Sequence, residues 1–123
     1  MERDELTGQI LGIAFRVHTI LGPGLLESVY EVAMAHELRK ASLLVATQVE
    51  MPVVYDGIRL DLAFRADIVV EGRVIVELKS VEALAPVHSK QLLNYLKLSG
   101  LKTGLLINFN TVSLKDQLIR LAN

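Results

Sequence analysis

Apolar residues recur every three to four positions over residues 3–20, a spacing that predicts an amphipathic helix. The segment LGPGLLESVYE interrupts this pattern. A second helix is predicted from Pro23, which suits a first helical position, to about Lys40. The residues that this second helix is expected to bury are Leu26, Val29, Ala33 and Leu38.

Three strand candidates follow, each rich in branched aliphatic residues. They are ATQVEMPVVYDG, IRLDLAFRADIVV and RVIVELKSV, which begin at Ala46, Ile58 and Arg73. Asp56-Gly57 is a hairpin turn signal between the first two strands, and Pro52 favours an edge strand or a bulge.

The last third of the chain adds three elements. A helix is predicted from Pro86 until Gly100 stops it, TGLLINF is a short strand of the kind buried on both faces, and TVSLKDQLIRLAN is a closing helix capped by Ser113. The predicted order is α-α-β-β-β-α-β-α, a mixed central sheet flanked by helices. Residues 1–123 are expected to form a single α/β domain.

Composition narrows the class of protein. The chain has no cysteine, which excludes disulfides, thiolate metal ligands and a thiol nucleophile. No apolar run approaches the roughly 20 residues of a membrane helix, and no signal peptide is visible, so a soluble, cytoplasmic protein without a membrane partner is expected. Residues 1–78 hold 7 Lys and Arg against 12 Asp and Glu, whereas residues 79–123 hold 6 against 2. The basic half either faces a phosphate-bearing partner or is an ordinary surface.

The second and third strands carry charged residues among their aliphatic ones. Side chains alternate between the faces of a strand, so Glu77 and Lys79 share a face. The apolar residues that we match on the opposite face are Ala66, Ile68, Val70, Val74, Val76 and Leu78. This match puts Asp67 beside Glu77 and Lys79. It requires an odd-numbered loop, which Val70-Glu71-Gly72 would supply with Gly72 left-handed.

One face of these strands would therefore hold two carboxylates and an ammonium group. Such charges are costly to desolvate unless they pair or bind a cation, and adjacent carboxylates repel. A hard cation such as Mg²⁺ or Mn²⁺ would remove the conflict, and Lys79 would then hold a water or neutralise charge on a phosphate. The alternative is a salt-bridged cluster in which Lys79 neutralises one acid.

Two motifs resemble those of a known family. Asp67 followed by Glu77-Leu78-Lys79 resembles the signature of the PD-(D/E)XK nuclease superfamily, although Ala66 stands where that signature has Pro. Gly24-x-x-Glu27-x-x-Tyr30 resembles the motif that names the GxxExxY proteins, a bacterial family in that superfamily. The resemblance covers nearly the whole chain. It implies the superfamily's core fold and Mg²⁺- or Mn²⁺-dependent hydrolysis of DNA or RNA.

The resemblance also implies roles for individual residues. Asp67 and Glu77 would be metal ligands and Lys79 the catalytic lysine, while Glu27 would complete the metal shell. Gln91 and Tyr95 resemble the Gln-x-x-x-Tyr motif of exonuclease-type members, in which the Gln helps to fix the site. We place Tyr95, Tyr30 and His88 as candidate substrate contacts, and Lys90, Asn94 and Lys97 on another, solvated face.

Each of these roles has a structural alternative. Glu27 would also suit a helix N-terminus as a favourable acid, Gln91 could cap a strand edge, and Tyr95 could belong to the core. The leading function is a metal-dependent nuclease. The alternatives are a catalytically silent module that binds nucleic acid or protein, and a hydrolase of a small phosphorylated metabolite. A chain this small would gain surface by dimerising, for which the apolar first helix offers a face, or by joining a larger complex.

Overall fold

The computed structural model describes residues 2–123, with the backbone only for Arg3. The elements in chain order are α1 (Arg3–Leu21), α2 (Glu27–Lys40), β1 (Val45–Tyr55), β2 (Ile58–Val70), β3 (Val74–Lys79), α3 (Pro86–Ser99), β4 (Thr103–Asn108), a 3₁₀ turn (Leu114–Gln117) and β5 (Leu118–Ala122). The predicted fold class is confirmed, because helices flank a mixed sheet with the strand order β1-β2-β3-β4-β5.

The sheet separates two apolar layers. β1, β2 and β3 are antiparallel neighbours, α3 then crosses over to place β4 parallel to β3, and β5 returns antiparallel to β4. One layer packs α1 and α2 against the sheet around Ile10, Tyr30 and Phe109. The other packs α3 around Leu92 and Leu96. β3 and β4 lie in the middle of the sheet, which explains why nearly every residue in them is buried.

The second helix begins later than predicted. Gly22 and Gly24 have φ values of 70° and 91°, which a helix does not tolerate, and α2 starts only at Glu27. The expected burial was also wrong for Leu26 and Val29, which are exposed. The buried residues of α2 are Tyr30, Met34, Ala35 and Leu38, of which Leu38 was predicted.

The predicted closing helix was also wrong. Leu114, Leu118 and Leu121 have helical spacing, yet only a 3₁₀ turn forms before β5. β5 pairs with β4 from Thr103–Ala122 to Ile107–Leu118. An apolar strand such as β4 would otherwise leave its backbone unpaired at the sheet edge, and this pairing outweighs a weak local helical pattern.

The register between β2 and β3 has the predicted parity. Val70 pairs with Val74 across a three-residue loop, with φ values of 55° for Glu71 and 62° for Gly72. The loop comprises residues 71–73, one position later than predicted, and continuing this register sets Asp67 opposite Glu77.

The predicted apolar set is wrong at one residue, Ala66. Ile68 packs in the layer of α1 and α2, but Ala66 packs in the layer of α3. The change of face coincides with Gln48 on β1, whose φ of 50° interrupts the ladder between the Thr47–Ile68 and Val49–Ala66 pairs.

Candidate active site

β2 and β3 separate at Asp67 and Glu77, and their carboxylates occupy the gap. The backbone N–H of Asp67 donates to Glu77 Oε1 at 3.1 Å. In return, the backbone N–H of Leu78 donates to Asp67 Oδ2 at 2.9 Å. Each carboxylate thus replaces a ladder bond of the opposite strand, which fixes both side chains at the end of the paired region. The predicted meeting of these two acids is what the structure shows.

Glu77 is buried, with only 4% of the surface of the residue exposed. Burial, followed by the nearby charge of Asp67, raises the pKa of Glu77 to about 9, although the charge of Lys79 partly opposes this. Glu77 is therefore protonated at neutral pH when no cation is present. The two acids cannot both ionise without a compensating positive charge.

Lys79 lies at the end of β3, next to a groove beneath α3. The groove has a volume of about 500 Å³ and is lined by Phe64, Lys79, Val87, His88, Lys90, Gln91, Asn94 and Tyr95. The predicted residues of α3 thus face the same space as Lys79. Lys90 and Asn94 also line it, so they are not on a face separate from the groove, although both are exposed as predicted.

Three α3 residues were predicted to belong to the site, and their environments differ. Tyr95 is mostly buried beside the ring of Phe64, and its pKa is raised by burial and then by the charges of Glu77 and Asp67. Gln91 is partly exposed in the groove. His88 Nδ1 accepts a hydrogen bond from the backbone N–H of Ala85 at 3.0 Å, which caps α3 and leaves the ring at the groove wall.

Glu27 stands at the first position of α2, close to the residue that follows Lys79. The backbone N–H of Ser80 approaches Glu27 Oε2 at 3.4 Å, and Ser80 Oγ donates to the carbonyl of Leu25 at 2.6 Å. These contacts tie the end of β3 to the start of α2. Glu27 therefore lies near Lys79 in space, beside the residue that follows it on the chain, and its carboxylate has no contact with Asp67 or Glu77 like the one that joins those two acids.

Tyr30 lies in the core and not in the groove. It is fully buried and stacks on Phe109 with ring centroids 4.5 Å apart. Its hydroxyl donates to the carbonyl of Gly22 at 2.6 Å and accepts from the backbone N–H of Leu25 at 3.2 Å. Tyr30 thus holds the glycine loop that sets the position of Glu27, and we leave it out of the proposed substrate contacts.

Two residues near Asp67 were not predicted from the sequence. The side-chain amide of Gln48 donates to Glu31 Oε1 at 2.6 Å and reaches Asp67 Oδ1 at 3.5 Å. Burial raises the pKa of Glu31, and the charge of Asp67 adds to the effect although the Gln48 hydrogen bond lowers it. Glu31 lies one helical turn after Glu27, and this spacing was the available signal.

Asn108 at the end of β4 was also missed. It is fully buried, and its amide donates to the carbonyl of Val81 at 2.9 Å and to Gln117 Oε1 at 3.0 Å. Its Oδ1 accepts from the backbone N–H of Val81 at 3.0 Å. Asn108 thereby anchors the segment that follows Lys79 and Ser80. A lone amide after five mostly apolar strand residues was the sequence signal.

The residues at the strand split fit a hard divalent cation. Two carboxylates with a buried, protonated member form an oxygen-donor pair whose mutual repulsion such a cation would relieve. Between residues 2 and 123, however, no three His, Asp or Glu side chains already converge as a ligand set. Waters or a substrate oxygen would therefore supply the remaining positions, as Mg²⁺ commonly requires.

Comparison with family models gives a match that covers most of the chain. The family model of the PD-(D/E)XK nuclease superfamily matches residues 4–121. The chain belongs to the PD-(D/E)XK nuclease superfamily. No curated protein and no solved structure matches it. The match includes the part of β2 and β3 that contains Asp67, Glu77 and Lys79.

Membership in a nuclease superfamily implies a nucleic-acid substrate and, in general, a divalent metal. Among the helices that the structure describes, none is long and apolar enough to cross a bilayer.

Proposed function

We propose that this PD-(D/E)XK protein is an active nuclease that hydrolyses phosphodiester bonds of DNA or RNA with Mg²⁺ or Mn²⁺. The observation that carries the proposal is the meeting of the Asp67 and Glu77 carboxylates at the strand split, with Lys79 two residues further along β3. Glu77 is kept protonated in the absence of a cation, which lowers the stability of the folded protein at neutral pH. A buried acid whose pKa is perturbed in this way is typical of a functional site.

Asp67 and Glu77 would hold the cation, and Glu27 would reach it from the start of α2. When bound, the cation supplies Lewis acidity toward the scissile phosphate and favours ionisation of a water. Lys79 would orient the attacking water and neutralise charge that develops on the phosphate oxygens. Gln91, His88 and Tyr95 would contact the substrate along the groove, where Lys90 adds a second positive charge.

The motif from Gly24 to Tyr30 supports placement in the bacterial GxxExxY group. Gly24 has a positive φ, Glu27 is the first residue of α2, and the Tyr30 hydroxyl forms hydrogen bonds with the loop that precedes α2. Each of the three motif positions therefore has a structural role. A bacterial nuclease of this kind would act in the cytoplasm, where its nucleic-acid substrate is found.

The test is a cleavage assay of the purified full chain on single- and double-stranded DNA and RNA with Mg²⁺ or Mn²⁺. The paired variants are Asp67→Asn at the split and Asp61→Asn, which is exposed on the same strand. We expect cleavage by the wild type and by Asp61→Asn, and none by Asp67→Asn or with a chelator. Activity retained in Asp67→Asn would identify a contaminant. No cleavage of any substrate would favour the silent binding module.

Gln48 offers a separate prediction about how the site is held. A non-glycine residue at a φ of 50° costs roughly 1 kcal/mol, and a mid-strand Gly costs a similar amount in chain entropy. Gln48→Gly is therefore expected to change the free energy of unfolding by less than about 1 kcal/mol. It removes the amide beside Glu31 and Asp67, which we expect to weaken Mn²⁺ binding about 10-fold, measured by calorimetric titration.

The matched control for Gln48→Gly is Asp56→Gly. Asp56 is also a non-glycine residue with positive φ, at 52°, but lies in the β1–β2 turn far along the hairpin. It should alter unfolding without altering Mn²⁺ affinity. Wild-type affinity in Gln48→Gly would show that the amide does not position the carboxylates.

A further inference from the structure

The β1–β2 hairpin extends far beyond the part of β2 that pairs with β3. β2 pairs with β3 only from Ile68 to Val70, whereas it pairs with β1 as far as Tyr55–Ile58 beside the turn. Residues 49–65 therefore extend past β3 as a two-stranded ribbon, which we call the arm. A two-stranded ribbon is marginally stable in water by itself, so an arm of this length is expected to require a further contact.

The arm has an apolar face and a polar face. Side chains alternate between faces along β2, and its even-numbered positions are apolar while its odd-numbered ones are mostly charged. The apolar set is Ile58, Leu60, Leu62 and Phe64, which the cross-strand partners Tyr55 and Met51 extend onto β1. The register shift between Pro52 and Val54 displaces the strands by two residues, which preserves the face of each position.

Helix α3 covers this apolar face only at the base of the arm. There Met51 is 5% exposed and the ring of Phe64 lies 5.5 Å from that of Tyr95. Toward the tip, Tyr55 is 73% exposed, Ile58 62% and Leu62 68%. A contiguous apolar patch of this kind marks an interaction site. The described residues also include a second such patch, around Ile20, Val29 and Val32 at the groove between α1 and α2.

The charges of the arm restrict what can cover it. The register places Arg59 opposite Val54 and Arg65 opposite Glu50, which puts both arginines on the polar face. Arg65 also pairs with Glu50 at 3.5 Å. Beyond its base, where Phe64 borders the groove lined by Lys79 and Lys90, the apolar face thus offers no cation to a phosphate, whereas nucleic acids and anionic membranes are both bound through Lys and Arg. The occupant must instead present an apolar protein surface.

We infer that the apolar face of the arm packs against the same face of a second copy of this chain. In a twofold dimer the same patch of both copies meets, so the apolar face of one arm would lie against the apolar face of the other. Two ribbons stacked face to face would bury their inner side chains as a small β-sandwich does. The exposed tip side chains offer on the order of 500 Å² per copy, or about 1,000 Å² together, which is at the lower end of specific interfaces.

The experiment is measurement of the molar mass of the full chain by light scattering and sedimentation up to roughly 100 µM, where a micromolar dimer is formed. The test variant is Ile58→Glu. Its matched control is Val54→Glu, which is 57% exposed on the polar face of the same arm. We expect twice the chain mass of 13.6 kDa for the wild type and for Val54→Glu. Ile58→Glu should raise the dissociation constant at least about 100-fold, because the charge enters the interface twice.

Circular dichroism and thermal unfolding establish that each variant is folded, and Leu62→Glu replaces Ile58→Glu if that variant is not. Ile20→Glu tests the competing face of α1, since Ile20 is 71% exposed beside the groove between α1 and α2. A wild type that stays monomeric, or equal dissociation by Val54→Glu, would overturn the inference. Dissociation by Ile20→Glu but not by Ile58→Glu would move the interface to α1.

Discussion

Replacing Lys79 by alanine is expected to lower the cleavage rate constant kcat about 1,000-fold and to leave Mn²⁺ affinity within a few-fold of the wild type. Lys79 is half-buried at the end of β3, where its charge acts on Glu77. It is a cation and cannot be a metal ligand, so its loss removes stabilisation of charge in the transition state and not the cation itself. Single-turnover kinetics together with calorimetric Mn²⁺ titration separate these two effects.

Lys90→Ala is the matched control for Lys79→Ala. Lys90 lines the same groove from α3 but lies away from the strand split. Its loss should chiefly raise the KM for the nucleic acid, by less than about 10-fold, because it would contribute only general attraction to phosphate. If Lys79→Ala retained the wild-type kcat, the catalytic role assigned to this lysine would have to be abandoned.

Without metal, the protein is expected to lose stability as the pH rises from about 5 to 9. The pKa of Glu77 is raised by burial and by Asp67 from 4.5 to about 9. Between these values the native protein keeps a proton that the unfolded chain has released. The native state binds more protons, so the free energy of unfolding falls with increasing pH, by about 1 kcal/mol per pH unit.

The measurement is urea or thermal unfolding in the presence of a chelator at pH 5 to 9, for the wild type, Glu77→Gln and Glu82→Gln. Glutamine mimics the protonated carboxyl, so Glu77→Gln should lack most of the pH dependence and should exceed the wild type in stability at pH 8 to 9. Glu82 is exposed just after β3, and its variant should follow the wild type. Equal slopes for wild type and Glu77→Gln would contradict the assigned burial of a protonated acid.

Added Mn²⁺ should reverse the trend. Cation binding requires Glu77 to release its proton, so stabilisation by Mn²⁺ should grow as the pH rises toward 9. The same unfolding series repeated with excess Mn²⁺ provides this comparison. Glu77→Gln should gain little from the metal at any pH.

The positions of the charged residues in the strands were enough to predict most of the candidate site. Asp67 and Glu77 were predicted to meet because side-chain alternation and an odd-numbered loop put them on the same face, and the structure places them in reciprocal contact with each other's backbone. Gln91 and Tyr95 were predicted on one helical face, and both line the groove beside Lys79. In these cases a local period sufficed to specify which side chains share a face.

Long-range contacts explain the predictions that failed. Gln48 and Glu31 reach Asp67 from elements 19 and 36 residues away along the chain, and no local pattern reports such a meeting. Residues 118–122 have a spacing that fits a helix, but they form a strand because their backbone pairs with the otherwise open edge of β4. Ala66 changed face because of a distortion on the neighbouring strand.

The sequence by itself determined the fold class, the parity of the β2–β3 register and the identity of the charged residues at its end. Each of these follows from periods of two or of 3.6 residues and from turn glycines, which act within a few positions. Only the tertiary structure decided where α2 begins, that the chain ends in a strand, and how far Glu77 is buried. These depend on which backbone groups and side chains lose contact with water, and that is known only once distant segments have come together.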